Sequence, residues 1–253
     1  RAALRRTLPE LAGLVTVGRF QLDNLAPCGL PARRAAIPCG APTALFAARP
    51  LPERAEGAPI RFLSVGRMSA EKGLFESLAA FEAVARDHPA AELVFVGDGP
   101  QRAALEAAAA RSSAGDRVSF LGWRPAEEVA EIMAGCHVLL QHALEAGGSM
   151  EGFGVTLTEG GAAGLALVAS RLGGIPDQVE SGRNGLLFAP GDVHAQAEAM
   201  LALACDEASR RRMGAAARET AAGFDSDLMA AKVEQFVLEA AGASATAKEG
   251  DHG

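Results

Sequence analysis

Tyrosine is absent from the 253 residues, tryptophan occurs once, and aromatic residues make up only 5% of the chain. A core must therefore be filled mainly by Ala, Val and Leu, which the 49% of apolar residues permits. Excess positive charge is also missing. The formal net charge is −7, which argues against a nucleic-acid module with a basic face. It leaves room for a phosphate ligand, because a local Arg–Lys pair and a helix N-terminus can bind one on an acidic protein. Cysteines number four, Cys28, Cys39, Cys136 and Cys205, and none forms a C-x-x-C pair. That pattern suits reduced thiols and a cytoplasmic location. No apolar run reaches bilayer length. The basic start R-A-A-L-R-R is not followed by a secretory apolar segment. The first residue is not Met, so the chain is expected to begin inside a longer protein.

From Ile60 onward, short aliphatic runs alternate with longer amphipathic ones. The runs predict strands over Ile60–Gly66, Glu92–Gly97, Arg117–Gly122, His137–Gln141, Ala166–Ser170 and Gly185–Phe188. Helices are predicted between them, for example over Leu74–Arg86 and Pro125–Ala134, where Pro opens the helix. Such alternation implies right-handed βαβ crossovers: a Rossmann-like parallel sheet with helices on both faces. Ligands of such sheets sit at the carboxyl ends of the strands. Before Ile60, Gly13–Gly18 and Ala35–Pro38 read as two strands around a short helix. The organisation expected is a remnant of an N-terminal domain with its link (1–48), a linker (49–59), and a ligand-binding domain (60–223). A C-terminal helix (224–242) and a disordered tail (243–253) follow.

The loops after the strands carry the chemistry. V-G-R-M-S-A-E-K-G puts Gly66, Arg67 and Lys72 before a helix, a pattern that suits a diphosphate. V-G-D-G-P-Q-R begins like G-x-G-x-x-G, but Arg102 stands where the third glycine belongs. A nicotinamide dehydrogenase is therefore disfavoured, and turn geometry accounts for Gly97 and Gly99. G-W-R-P offers Trp123 and Arg124, with core or rim packing as the alternative for the indole. The longest loop ends in E-G-F-G-V-T-L-T-E, Glu151 to Glu159, and leads into a helix. Gly152, Phe153, Gly154 and Val155 let backbone amides approach a ligand at the positive end of that helix. Glu151 and Glu159 can each accept hydrogen bonds from neighbouring hydroxyls of a ribose or hexose. The alternative is a loop with an ordinary helix cap. F-D-S-D, at 224–227, contains a D-x-D, and helix capping is its more economical reading.

G-R-M-S-A-E-K-G, V-G-D-G-P, E-G-F-G-V-T-L-T-E, G-G-I-P-D and N-G-L-L-F-A-P-G-D stand in one order and spacing. In this the chain resembles the family 4 retaining glycosyltransferases of the GT-B fold, from about Ala36 to about Gly223. The stretch Ala36–Phe46 is similar to the family's interdomain link, with Cys39 in place of Asn and Pro42 in place of Asp. The resemblance implies that Arg67 and Lys72 stabilise the leaving diphosphate. It further implies that Glu151 contacts the donor sugar and Glu159 the ribose. Gly66, Gly97, Trp123, Arg124, Gly152, Phe153, Gly154 and Val155 would complete the donor site. The implied reaction moves a hexose from a nucleoside diphosphate sugar to a glycan, lipid or small acceptor, in envelope or exopolysaccharide synthesis. No cofactor and no metal are implied. One departure is a Gly-Gly pair after Glu159, which weakens the helix by about 1 kcal/mol per Gly relative to Ala. Another is Gln141-His142 where the family often has Pro-Ser. The largest is length, since an acceptor domain of full size does not fit in the residues before the link. The chain alone is expected to be inactive and to need that domain or a partner chain, through which any peripheral membrane contact would be made. Rival readings are a GT-B sugar-nucleotide epimerase and a non-catalytic nucleotide-sugar-binding module.

Overall fold

A computed structural model describes residues 2–50, 54–55, 57–148 and 150–249, with 243–249 described by backbone alone. Six parallel strands form one sheet: β3 (Ile60–Val65), β4 (Ala91–Val96), β5 (Val118–Phe120), β6 (Val138–Gln141), β7 (Ala166–Ser170) and β8 (Gly185–Phe188). Their spatial order is β5-β4-β3-β6-β7-β8. The direction of the crossovers changes between β3 and β6, so the loops after these two strands face each other across a crevice.

Strand residues alternate between two cores. Ile60, Phe62, Leu93, Phe95, Val138 and Leu140 join one cluster. That cluster includes α4 (Leu74–Asp87), α5 (Arg102–Arg111) and α8 (Val193–Cys205). Leu63, Val96, Leu139 and Leu167 join the other, with α3 (Thr43–Ala47), α6 (Ala126–Ala134), α7 (Val155–Ala163) and α9 (Glu207–Ala222). Both faces of the sheet are covered, as the unbroken apolar runs require. Pro125 sits one residue before α6, as its N-cap, rather than at its first helical position.

The Gly-Gly pair of α7 has a packing reason. A Cβ on Gly160 would lie 2.6 Å from Leu139 Cδ2, and one on Gly161 would lie 3.1 Å from Ala217 O. The glycines allow α7 to lie against both β6 and α9, and that contact offsets their poor helix propensity.

Ahead of the sheet stand α1 (Ala2–Thr7), β1 (Leu14–Thr16), α2 (Arg19–Leu25) and β2 (Arg34–Ala36). β1 and β2 pair in parallel as a separate two-stranded sheet. The final helix, α10 (Ser226–Glu249), returns to this unit: a Cβ on Gly13 would meet Phe236, and Arg33 pairs with Glu239 at 2.5 Å. α10 is longer than expected, so the residues read as a disordered tail begin as helix; 250–253 lie outside the described residues, as do 51–53 and 56 of the expected linker. The chain crosses between the two units twice, side by side. Ala41 N–H donates to Phe224 O at 3.0 Å, and Ser226 N–H donates to Ala41 O at 2.9 Å. Thr43 Oγ1 donates to Asp225 Oδ2 at 2.6 Å, and Asp225 Oδ1 accepts the Asp227 N–H. The D-x-D thus caps a helix and ties the crossing. Among the described residues no helix is long and apolar enough to cross a membrane.

Candidate donor-binding cleft

The loops at the carboxyl edge are bonded to one another in the order of the strands. Gly97 N–H donates to Gly122 O at 2.8 Å, and Met68 N–H to Asp98 O at 2.8 Å. Leu144 N–H donates to Glu71 O at 2.9 Å, and Gly174 N–H to Glu151 O at 3.3 Å. Gly97 is required here by contact: a Cβ would lie 1.9 Å from Gly66 O, so the β3 and β4 loops meet backbone to backbone. This replaces the simple turn reading of the broken G-x-G. Arg102, in place of the third glycine, pairs with Asp98 and Glu106 beside α5.

Between the β3 loop and the acidic loop lies a cleft of about 420 Å³. It brings together Gly66, Arg67, Lys72 and Glu151 with the Gly152–Val155 turn, all candidates from the sequence. Arg67 is exposed, and among the described residues its guanidinium makes no hydrogen bond or ion pair, although its carbonyl accepts the Ser69 N–H at 3.0 Å. Gly154 holds a left-handed conformation (φ 87°) and starts α7 without a side-chain cap. Val155 and Thr156, whose amides open the helix, line the cleft. Phe153 is buried, with its ring 5.3 Å from that of Phe224, so it contributes backbone and not a ring surface. Gln178, buried beneath the turn, donates to Phe153 O and accepts from Thr158 Oγ1 at 2.6 Å.

Lys72 and Glu151, read from the sequence as separate phosphate and sugar ligands, form an ion pair at 2.6 Å. Gln141 Nε2 donates to the same oxygen, Glu151 Oε2, at 2.7 Å.

A second hollow adjoins this cleft through Gly66 and Arg67 and is lined by Gly97, Trp123 and Arg124. Trp123 is 69% exposed, so the core reading of the lone indole does not hold. Arg124 leans on Glu128 at 3.4 Å. Glu159 lies one turn into α7 and is not on the wall of the cleft itself. Burial raises its pKa, and among the described residues its carboxylate has no hydrogen bond or ion pair. A half-buried carboxylate without a donor is costly for a folded chain and suits a ligand hydroxyl.

His142 is buried and structural. Gly191 N–H donates to its Nε2 at 2.9 Å, so the proton sits on Nδ1, which donates to Gln196 Oε1 at 2.6 Å. Burial lowers its pKa, which keeps the ring neutral. Among the lining residues that the sequence did not single out as ligands are Val17, Cys39 and Gln141. Val17 and Cys39 come from the short N-terminal unit and its link, and only the tertiary fold places them there. Gln141 carried a signal, as a polar residue closing the apolar run V-L-L-Q.

A family model described as glycosyl transferases group 1 matches residues 52–220. An amylovoran biosynthesis glycosyltransferase from Erwinia amylovora is 34% identical over 151 residues, which are 59% of this chain and 37% of that protein. A glycogen synthase from Mycobacterium tuberculosis is 32% identical over 198 residues, 77% of this chain and 45% of that protein. The chain therefore spans less than half the length of these two relatives. Among solved structures, HepE from Anabaena in complex with UDP and glucose superposes with a TM-score of 0.73 at 21% identity. That match covers 88% of this chain and 62% of HepE. The C-terminal domain of a group 1 family protein from Francisella tularensis gives 0.61 at 19% identity, covering 72% of this chain and 97% of that domain. At these identities the two structures establish the fold alone.

Proposed function

Because the chain belongs to the group 1 glycosyl transferases, we propose that it forms the donor-binding half of a family 4 retaining enzyme. That enzyme moves a hexose from a nucleoside diphosphate sugar to a glycan, lipid or small acceptor. The observation that carries the reading is the convergence, on one cleft, of Arg67, Lys72, Glu151 and the uncapped start of α7. The cations and amides face the diphosphate, which gains charge as the sugar leaves; preorganised donors of this kind stabilise such charge without a metal or cofactor. The hollow beside Trp123 takes the base, Glu159 the ribose, and Glu151 the sugar. The acceptor enters from the side of Val17, which belongs to the N-terminal unit. Nucleotide sugars are made in the cytoplasm, and the reaction is placed there. Two of the relatives are named for polysaccharide synthesis, which favours an acceptor of that class.

Calorimetric titration of the chain with UDP, UDP-glucose, GDP and GDP-mannose tests the reading. Binding of one nucleotide pair, weakened by Arg67→Ala, is expected. Absence of binding by all four would remove the cleft from consideration as a donor site of this kind. Adding an acceptor domain from a relative to the labelled sugar nucleotide then separates transfer from binding alone.

A further inference from the structure

Gln141 closes β6 and is 8% exposed. Its Nε2 gives a 2.7 Å hydrogen bond to Glu151 Oε2, the oxygen that also accepts from Lys72 Nζ. Its Oε1 is buried and has no hydrogen-bond partner among the described residues. Turning the amide round would set that oxygen against the carboxylate, so the observed orientation is the favoured one. A buried amide oxygen left unpaired costs a fold about 1–3 kcal/mol. Surrounding elements also make room for this amide: a Cβ on Gly154 would lie 2.9 Å from Gln141 Nε2. Stability does not account for a side chain that spends one end on Glu151 and leaves the other unsatisfied.

We propose that Gln141 is a positioning residue for Glu151: its neutral amide holds the carboxylate in place when the donor diphosphate draws Lys72 away. The inference rests on the donor-site reading above. Without ligand, Lys72 and Gln141 share one carboxylate oxygen, and Glu151 Oε1 has no partner among the described residues. A diphosphate bound at Arg67 competes with Glu151 for Lys72, since both are anionic acceptors for one ammonium. The Gln141 amide carries no charge and ends a strand, so the arriving anion gains little by attracting it. Glu151 then keeps one oxygen fixed and presents the other to the sugar hydroxyls. Gln141 never touches the sugar; it acts through Glu151.

The test compares the full chain with Gln141→Met, which keeps the volume without a donor, and with Gln141→Glu. The readout is the ratio of affinities for UDP-glucose over UDP and for GDP-mannose over GDP, by calorimetry from pH 8 to pH 6. Lys72 and Arg67 are the other charged side chains lining the cleft, and together with Glu159 they act on nucleotide and nucleotide sugar alike, so the ratio cancels them. Gln141→Met is expected to keep nucleotide affinity within about twofold and lower the ratio roughly tenfold. In Gln141→Glu two carboxylates adjoin and share a proton as the pH falls. Its ratio is expected to be low at pH 8 and to recover towards pH 6, while the wild-type ratio stays flat. An unchanged ratio in Gln141→Met overturns the proposal. So does an equal loss of both ligands with a lowered Tm, which would mark Gln141 as packing only. A wild-type chain that binds none of the four probes sinks the donor-site reading and this one with it.

Discussion

β6 carries a buried histidine beyond each of its ends, and the two ends of the sheet differ around them. At the amino end His137 Nδ1 accepts the Arg61 N–H at 3.0 Å, and His137 N–H donates to Arg61 O at 2.9 Å. Arg61 in turn pairs with Glu92. At the carboxyl end His142 is as fully bonded, but the groups around it are not. Gln141 Oε1, the Arg67 guanidinium and the Glu159 carboxylate have no hydrogen bond or ion pair among the described residues. Here too, backbones meet at glycines. The amino edge is not fully satisfied either, since Arg54 Nε and His88 Nδ1 are buried there without partners among the described residues. What distinguishes the carboxyl edge is that Gln141 and Arg67 line one cleft with Lys72 and Glu151. In a parallel sheet such convergence at the carboxyl edge locates a site more securely than any single motif.

The comparison can be broken most severely at Gly97. Valine there would place Cβ 1.9 Å from Gly66 O at a φ of 131°. A loss of about 3 kcal/mol or more is expected in urea unfolding, with nucleotide binding abolished. At the other edge, burial lowers the His137 pKa to about 4 from an ordinary 6.5. The folded state excludes a proton that the unfolded state binds, so stability is full above pH 6.5 and falls as pH drops from 6.5 towards 4. About 3 kcal/mol is at stake across that window. His137→Gln should flatten this part of the stability–pH curve and leave nucleotide affinity at pH 7 unchanged. Arg67→Ala, by contrast, should leave Tm within a degree or two and weaken nucleotide binding by roughly tenfold at low salt, less at high salt. The smallest effect and the sharpest contrast belong to Glu159→Gln. The raised pKa means that the folded chain pays to keep this carboxylate charged at neutral pH. The variant should gain up to about 1 kcal/mol in stability while binding nucleotides more weakly. A variant that lost both would return Glu159 to a structural role.

Much of this was legible in the sequence, and the remainder was hidden for physical reasons. Ala166–Ser170 and Gly185–Phe188 appear with the bounds the apolar runs suggest, because runs bounded by turn residues leave little freedom. The C-terminal helix expected to end at 242 runs on to Glu249 as α10. Its A-G-A-S-A-T-A-K-E segment looks low in apolar content, yet its alanines favour helix. The acidic turn, Arg67 and Lys72 were legible as a group because each sits at a strand end. Their pairing was not: Lys72 and Glu151 are 79 positions apart, and only the placement of β3 beside β6 joins them. Gln141 was visible only as a departure from a pattern, since its meaning lies in one oxygen of Glu151. The sequence offers only a turn reading for Gly97, because its neighbour Gly66 lies in the loop after a different strand.

The double crossing between the two units has a mechanical meaning. Two chain segments bonded rung to rung, as at Ala41 and 224–226, make a ribbon rather than a string. A ribbon flexes across its flat face and is stiff within its plane. Such a hinge, together with the Arg19 N–H that donates to Asp177 Oδ2 at 3.1 Å, restrains rocking of the N-terminal unit against the large sheet. Phe224 belongs to the ribbon and rests on Phe153 of the acidic turn, so each flexure bears on the floor of the cleft.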